Sequence, residues 1–195
     1  MKKLIVTFVL TAAIISMANG QFTKIGGGLT TGTGFHFNNV TTPDFEEELH
    51  RGPFVGIFVK GIYELKLPIH IAPSFTYFLP RTNKSSFGYG DSRVSSMMFD
   101  INGHYVFNTL DRFEFYGLAG FNITFAKIKW LGTPNSGTDN ALGLNLGAGT
   151  YMKITEQIDL NAEIKYIVSK YDQLMINVGV LLNIDWLKKN ESPGM

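Results

Sequence analysis

The residues in this chain that can do chemistry are few and scattered. Its four histidines, His36, His50, His70 and His104, have no spacing that would set two imidazoles on one metal ion. With no cysteine there is neither a thiolate ligand nor a disulfide framework. A serine hydroxyl beside a histidine serves acyl transfer, and His36 or His50 with Ser85, Ser86 or Ser92 supplies the residue types, but no motif brings them together. Asp44, Glu46, Glu47 and Glu48 lack the fixed oxygen-ligand order of a calcium loop and read as a solvated acidic loop. Gly26-Gly27-Gly28 is not followed by the lysine and hydroxyl residue of a phosphate loop. No cofactor and no metal is therefore expected. The balance of 17 basic against 16 acidic residues offers no basic face for nucleic acid.

What remains is a set of charges embedded in segments of alternating polarity, and these segments are strands. Ile158, Leu160, Ala162, Ile164, Tyr166 and Val168 share one face of an extended run, with Asp159, Asn161, Glu163 and Lys165 on the other. Ile176, Val178, Val180, Leu182, Ile184 and Trp186 repeat the pattern against Asn177, Gly179, Asn183 and Asp185. A period of two marks a strand, and each run is about twice the roughly five to six residues of a soluble strand. Such length suits a membrane barrel, whose strands need about 9 to 11 residues and face lipid with alternate side chains.

The N-terminus agrees with export. Lys2 and Lys3 precede an apolar run from Leu4 to Ile15, and Ala18-Asn19-Gly20 supplies small residues before a cut at Gln21, so residues 1–20 read as a signal peptide. Losing its two lysines moves the formal charge from +1 to −1. Charged residues are 17% of the chain, below the roughly 25% of soluble domains, as an apolar outer surface requires.

Eight strands are predicted: Phe22 to Phe37, Phe54 to Lys66, Ile69 to Phe78, Val94 to Phe107, Phe113 to Lys129, Leu142 to Lys153, Ile158 to Val168 and Leu174 to Trp186. Pro73 lacks a ladder donor, which predicts a bulge or a weakened strand there. Tight turns at Lys66-Leu67-Pro68, Asn108 to Asp111 and Thr155 to Gln157 alternate with longer loops at Asn38 to Gly52, Arg81 to Ser92 and Leu131 to Asn140, then a shorter link around Lys170 to Gln173. That asymmetry places the turns in the periplasm. Aromatic girdles are expected from Tyr63, Tyr105, Phe107, Phe113 and Trp186 near the turns, and from Phe37, Phe75, Tyr77, Phe125, Trp130 and Tyr171 near the loops. Residues 21–187 thus form one eight-stranded antiparallel up-and-down transmembrane β-barrel, with residues 188–195 a short periplasmic tail.

An eight-stranded barrel is narrow enough for side chains to fill. Lys60, Glu64, Asp100, His104, Glu114, Lys153, Asp159, Glu163 and Lys165 are expected to point inward as a lumenal plug. Pairing about the Glu156 turn sets Lys153 opposite Asp159, Tyr151 opposite Asn161, Gly149 opposite Glu163 and Gly147 opposite Lys165. A soluble lipocalin-like barrel would reverse the faces, but its wet face would then carry many Lys and Glu residues. Here that face is largely Gly, Asn, Ser and Thr.

Tyr116-Gly117-Leu118-Ala119-Gly120-Phe121, the glycine-rich sixth run and the segment from Ile154 to Tyr166 resemble the small outer-membrane β-barrel domain family, which includes the OmpA-like, opacity-protein-like and PorT-like barrels of diderm bacteria. The resemblance implies an integral barrel of the cell outer membrane, in contact with its lipids and lipopolysaccharide. Its expected role is membrane integrity, surface contact or, as in PorT-like proteins, assistance to a secretion system, with a surface or secretion-system partner unidentified. Some relatives are lipid A-modifying enzymes that use a serine and a histidine, which is the rival reading of His36 and His50. Asn177, Gly179, Leu182 and Ile184 resemble the last-strand signal read by the barrel-assembly machinery. Such chains usually end on an aromatic residue, whereas this one runs on from Leu187 to Met195.

Overall fold

The computed structural model describes residues 22–35, 52–65, 68–84, 91–132 and 134–184. They form eight strands: β1 Lys24–Gly32, β2 Val55–Glu64, β3 Ile69–Asn83, β4 Ser92–Leu110, β5 Phe113–Trp130, β6 Ser136–Lys153, β7 Ile158–Ser169 and β8 Gln173–Asn183. Each pairs antiparallel with its neighbour in sequence, and β1 pairs antiparallel with β8, so the sheet closes and has no edge. Among the described residues no helix is long and apolar enough to cross a membrane. A strand-built span must then satisfy every backbone group within the sheet, and a closed barrel does so.

Alternation cannot say which face is inside, but burial does. Leu142 is 77% exposed and Phe121 71%, whereas Lys60, Asp100, Glu163 and Lys165 are each 3% or less. The faces are therefore those of a barrel in lipid, opposite to the lipocalin arrangement. From Met97 to Phe107 on β4, and from Phe113 to Phe125 on β5, the outward positions carry no charged side chain.

The register between β6 and β7 is the one that pairing about Glu156 requires: Lys153↔Asp159, Tyr151↔Asn161, Gly149↔Glu163 and Gly147↔Lys165. Gly149 is needed because a Cβ there would stand 2.4 Å from the Tyr116 hydroxyl. At the seam, Gly28 lies opposite Gly179, and a Cβ on Gly179 would meet the Phe58 ring at 2.8 Å.

Several boundaries differ from the sequence reading. The links between β3 and β4 and between β5 and β6 are shorter than Arg81 to Ser92 and Leu131 to Asn140, because β3 continues to Asn83, β4 begins at Ser92 and β6 begins at Ser136. At the ends of the chain the strands are shorter, since β1 spans only Lys24–Gly32 and β8 stops at Asn183. Pro73 causes no bulge. Its partner Ile101 on β4 is in register, and the shift in that ladder falls between Phe78 and Arg81, around Pro80. Toward β2 the ladder runs from Lys60↔Ser74 to Tyr63↔Ile71 in one register with no bridge between, which is the gap a missing N–H leaves. A second shift, between Val106 and Asn108, carries the β4–β5 hairpin to its turn at Asp111.

Candidate functional site: the buried polar network

The interior holds two charged centres, each built from strands on different walls. Glu163 of β7 accepts from Lys60 Nζ of β2 at 2.6 Å and from the Tyr116 hydroxyl of β5 at 3.0 Å, both on Oε2. Its Oε1 accepts from Asn177 Nδ2 of β8 at 3.0 Å. Lys60 also donates to Asn161 Oδ1 at 3.3 Å, and Asn161 Nδ2 donates to the Tyr116 hydroxyl at 2.8 Å. His104 of β4 stacks on Tyr116 with ring centroids 4.2 Å apart and shares a hydrogen bond of 2.5 Å between Nδ1 and the Tyr151 hydroxyl.

The second centre is Asp100 of β4. Its Oδ1 accepts from Asn122 Nδ2 at 2.7 Å and Asn145 Nδ2 at 2.8 Å. Its Oδ2 accepts from Lys165 Nζ at 2.8 Å and Ser74 Oγ at 3.2 Å. Asn145 also donates to Asn102 Oδ1 at 2.8 Å. A buried carboxylate without such donors would be strongly destabilising, so the asparagines matter as much as the lysine.

Apolar layers flank these centres. On the turn side Ile62, Ala72, Tyr116, Leu118, Tyr151 and Leu181 pack together, and on the loop side Phe78, Met98, Ile167 and Met175 do. Nearer the loops Phe35 packs on Tyr171 with centroids 4.7 Å apart, joined by Val94, Ala126, Ile128 and Ala141, with Trp130 against them. Tyr171 and Trp130 are thus not girdle residues. Tyr171 is buried, and its hydroxyl donates to Asp139 Oδ2 at 2.5 Å. Burial first, and then that carboxylate, raise the Tyr171 phenol above its ordinary pKa, so it stays a donor.

At the turn end Lys24 lies 3.0 Å from both Glu64 Oε1 and Asp159 Oδ2. There Lys24, Arg112, Glu114, Tyr151, Lys153 and Asp159 help line a pocket of about 140 Å³. Of the nine residues expected inside, Lys60, Asp100, His104, Asp159, Glu163 and Lys165 are buried and Glu64 and Glu114 are half-buried at this rim, but Lys153 is exposed. Lys153 sits at the strand's end, where a long side chain reaches water. Of the last-strand residues, Asn177 and Gly179 are inward, Leu182 is outward, and Ile184 lies one residue past β8.

Sequence reasoning missed Lys24, Tyr116, Tyr151, Asn122 and Asn145 as members of the network, whereas parity sets Asn102 inward with Asp100 and His104. Parity could have found Tyr116, two residues from Glu114, and the asparagines by the same count. Lys24 was hidden by the glycine-rich run in which no alternation fixes a face. Among the described residues no three His, Asp or Glu side chains form a metal-holding group. His36, His50, Ser85, Ser86 and the acidic residues Asp44 to Glu48 lie outside the described residues, as do the signal segment, Phe37, Trp186 and the tail; Ser92 is buried.

Comparison with known proteins agrees with the architecture. The outer membrane protein beta-barrel domain matches residues 4–183. The N-terminal β-barrel domain of Pseudomonas aeruginosa OprF is 14% identical, with a TM-score of 0.55 over 84% of this chain and 97% of that one. Ail, the attachment invasion locus protein of Yersinia pestis, solved with the heparin analogue sucrose octasulfate, is 17% identical, with a TM-score of 0.53 over 83% and 96%. At these identities the likeness is one of fold. Among curated proteins none matches the sequence.

Proposed function

This chain belongs to the outer membrane protein beta-barrel domain family, and from that premise we propose that it is a non-conducting, non-enzymatic barrel acting in membrane integrity and surface contact, with a secretion-accessory role of the PorT-like kind as the finer alternative. It is an integral barrel of the outer membrane. In this reading residues 1–20 are removed on export, the short turns and both termini face the periplasm, and the loops face the cell surface. The barrel-assembly machinery inserts it.

The observation that carries the reading is the pair of centres inside the barrel. Lys60–Glu163 and Asp100–Lys165 reach across the lumen between strands three apart at 2.6 and 2.8 Å, with apolar clusters on both sides along the axis. Ions would have to break both pairs and cross the apolar layers, at a cost far above thermal energy. Purified protein in planar bilayers is expected to show no steady conductance. Reproducible open channels of porin size would overturn the reading and turn it toward transport.

A further inference from the structure

The described outer surface carries a basic cluster on β4 and β5. On β4 the outward positions run apolar as far as Met97 and then become Ser95 and Arg93; on β5 they run apolar as far as Phe125 and then become Lys127 and Lys129. Arg93 is directly opposite Lys129, and Ser95 is opposite Lys127. Like charges directly opposed across two strands destabilise the sheet. None of the three cations forms an ion pair among the described residues. The neighbouring outward positions, Thr82, Ser136 and Thr138, are hydroxyl-bearing, and Thr82 Oγ1 accepts from Arg93 Nε at 3.4 Å.

Immediately toward the membrane lies an aromatic slab. Phe75 and Phe99 pack at 4.8 Å between centroids, and Phe99 meets Phe125 edge-on at 6.3 Å. Tyr77, Met97 and Ile123 extend it, all outward and exposed. Cations at the loop-side limit of an apolar belt, with flat rings beneath, present the complement of an anionic amphiphile: phosphate against the guanidinium and ammonium groups, acyl chains on the rings.

We propose that the outward face of β3–β5 is a docking site for an outer-leaflet lipid that carries more than one phosphate and several acyl chains, held by Arg93, Lys127 and Lys129 over the Phe75, Phe99 and Phe125 rings. The proposal rests on the orientation given above, in which the loop end faces the cell surface. Three cations set across two strands exceed what one phosphodiester neutralises, and a slab three rings wide exceeds one acyl chain. Bound phosphate also removes the Arg93–Lys129 repulsion, so the lipid stabilises the tall wall of the sheet.

The test is native mass spectrometry of the purified full chain incubated with bis-phosphorylated lipid A, its dephosphorylated form, or phosphatidylethanolamine. The unaltered protein is expected to retain the bis-phosphorylated lipid at least about tenfold over the dephosphorylated one. Arg93→Gln, Lys127→Gln and Lys129→Gln combined should erase that preference, Lys129→Gln alone should reduce it, and Lys153→Gln at the opposite rim should leave it intact. Heat-dependent gel mobility of each variant reports the closed barrel independently. A preference that survives the triple change in a folded barrel overturns the proposal, as does complete displacement of the lipid by equimolar inorganic phosphate. Channels in bilayers would refute the non-conducting reading while leaving the lipid result standing, so the two failures are separable.

Discussion

At the scale of single residues, the carboxylate of Glu163 is held from three strands at once. It is 3% exposed and takes hydrogen bonds from Lys60, Tyr116 and Asn177. Lys60→Met keeps most of the side-chain length but strands this carboxylate, and removing one partner of a buried pair costs about 3 to 5 kcal/mol. The urea midpoint of the barrel in detergent should fall accordingly, and adding Glu163→Gln should recover a large part of the loss because no buried charge is left. An unchanged midpoint for Lys60→Met alone would show that the pair contributes nothing. The inward charges were legible because a strand's parity fixes the face of every second residue. Their bonds to neutral partners were not, since parity sets Tyr116 and the asparagines inward but only distances such as the 2.7 Å from Asn122 to Asp100 reveal which groups pair. Glycines divide just as sharply. A Cβ on Gly117 meets nothing within 4 Å, so Gly117→Ala should change stability by less than about 0.5 kcal/mol. Gly149→Val drives a branched side chain into the Tyr116 hydroxyl and should lower the midpoint clearly.

At the scale of elements, β8 shows how one residue can serve two roles. Gly179 fits the spacing of a last-strand recognition signal, yet it also faces Gly28 across the seam under the Phe58 ring. Refolding into detergent needs no assembly machinery and separates the roles. If closure dominates, Gly179→Ala lowers the folded yield in detergent as well as in cells. Full refolding in detergent with loss only in cells would assign Gly179 to recognition. Leu182→Asp places a polar group on the lipid face and should reduce folded protein in both settings. The alternation that made β7 and β8 readable fades where β3 and β6 rise past the apolar belt. Ser136, Thr138 and Asn140 are outward yet polar, because no lipid selects for apolar residues there, so period two vanishes while the ladder to Lys129, Lys127 and Phe125 continues. Pro80 lies beyond the expected end of the third strand at Phe78, yet β3 absorbs it in a register shift between Phe78 and Arg81 and continues to Asn83.

At the scale of the whole molecule, closure joins the ends of the sequence. β1 meets β8 along a ladder from Lys24↔Asn183 to Gly32↔Met175. Beyond it the Ile184 N–H donates to the Thr23 carbonyl at 2.8 Å, and the Asn183 N–H to the Gln157 carbonyl at 2.9 Å. Contacts of such sequence separation form late, because the loop-closure entropy of the entire chain must be overcome first. Once formed they leave no edge to fray, so the barrel should resist dodecyl sulfate at room temperature and open only on boiling. Unheated and boiled samples are therefore expected to migrate differently on a gel. The even strand number made this topology legible in the sequence, whereas the exact ends of β1 and β8 were not, since glycines in one carry no alternation and the alternation in the other runs on to Trp186, past the last ladder pair at Asn183. Among the described residues the closing ladder and its flanking bonds end at Ile184, so a chain ending at Leu187 should refold in detergent and insert in cells with the same heat-dependent shift. If removing residues 188–195 abolishes the shifted band in cells while detergent refolding survives, the tail carries an assembly function that the seam does not. If it abolishes both, the tail is itself part of the closure.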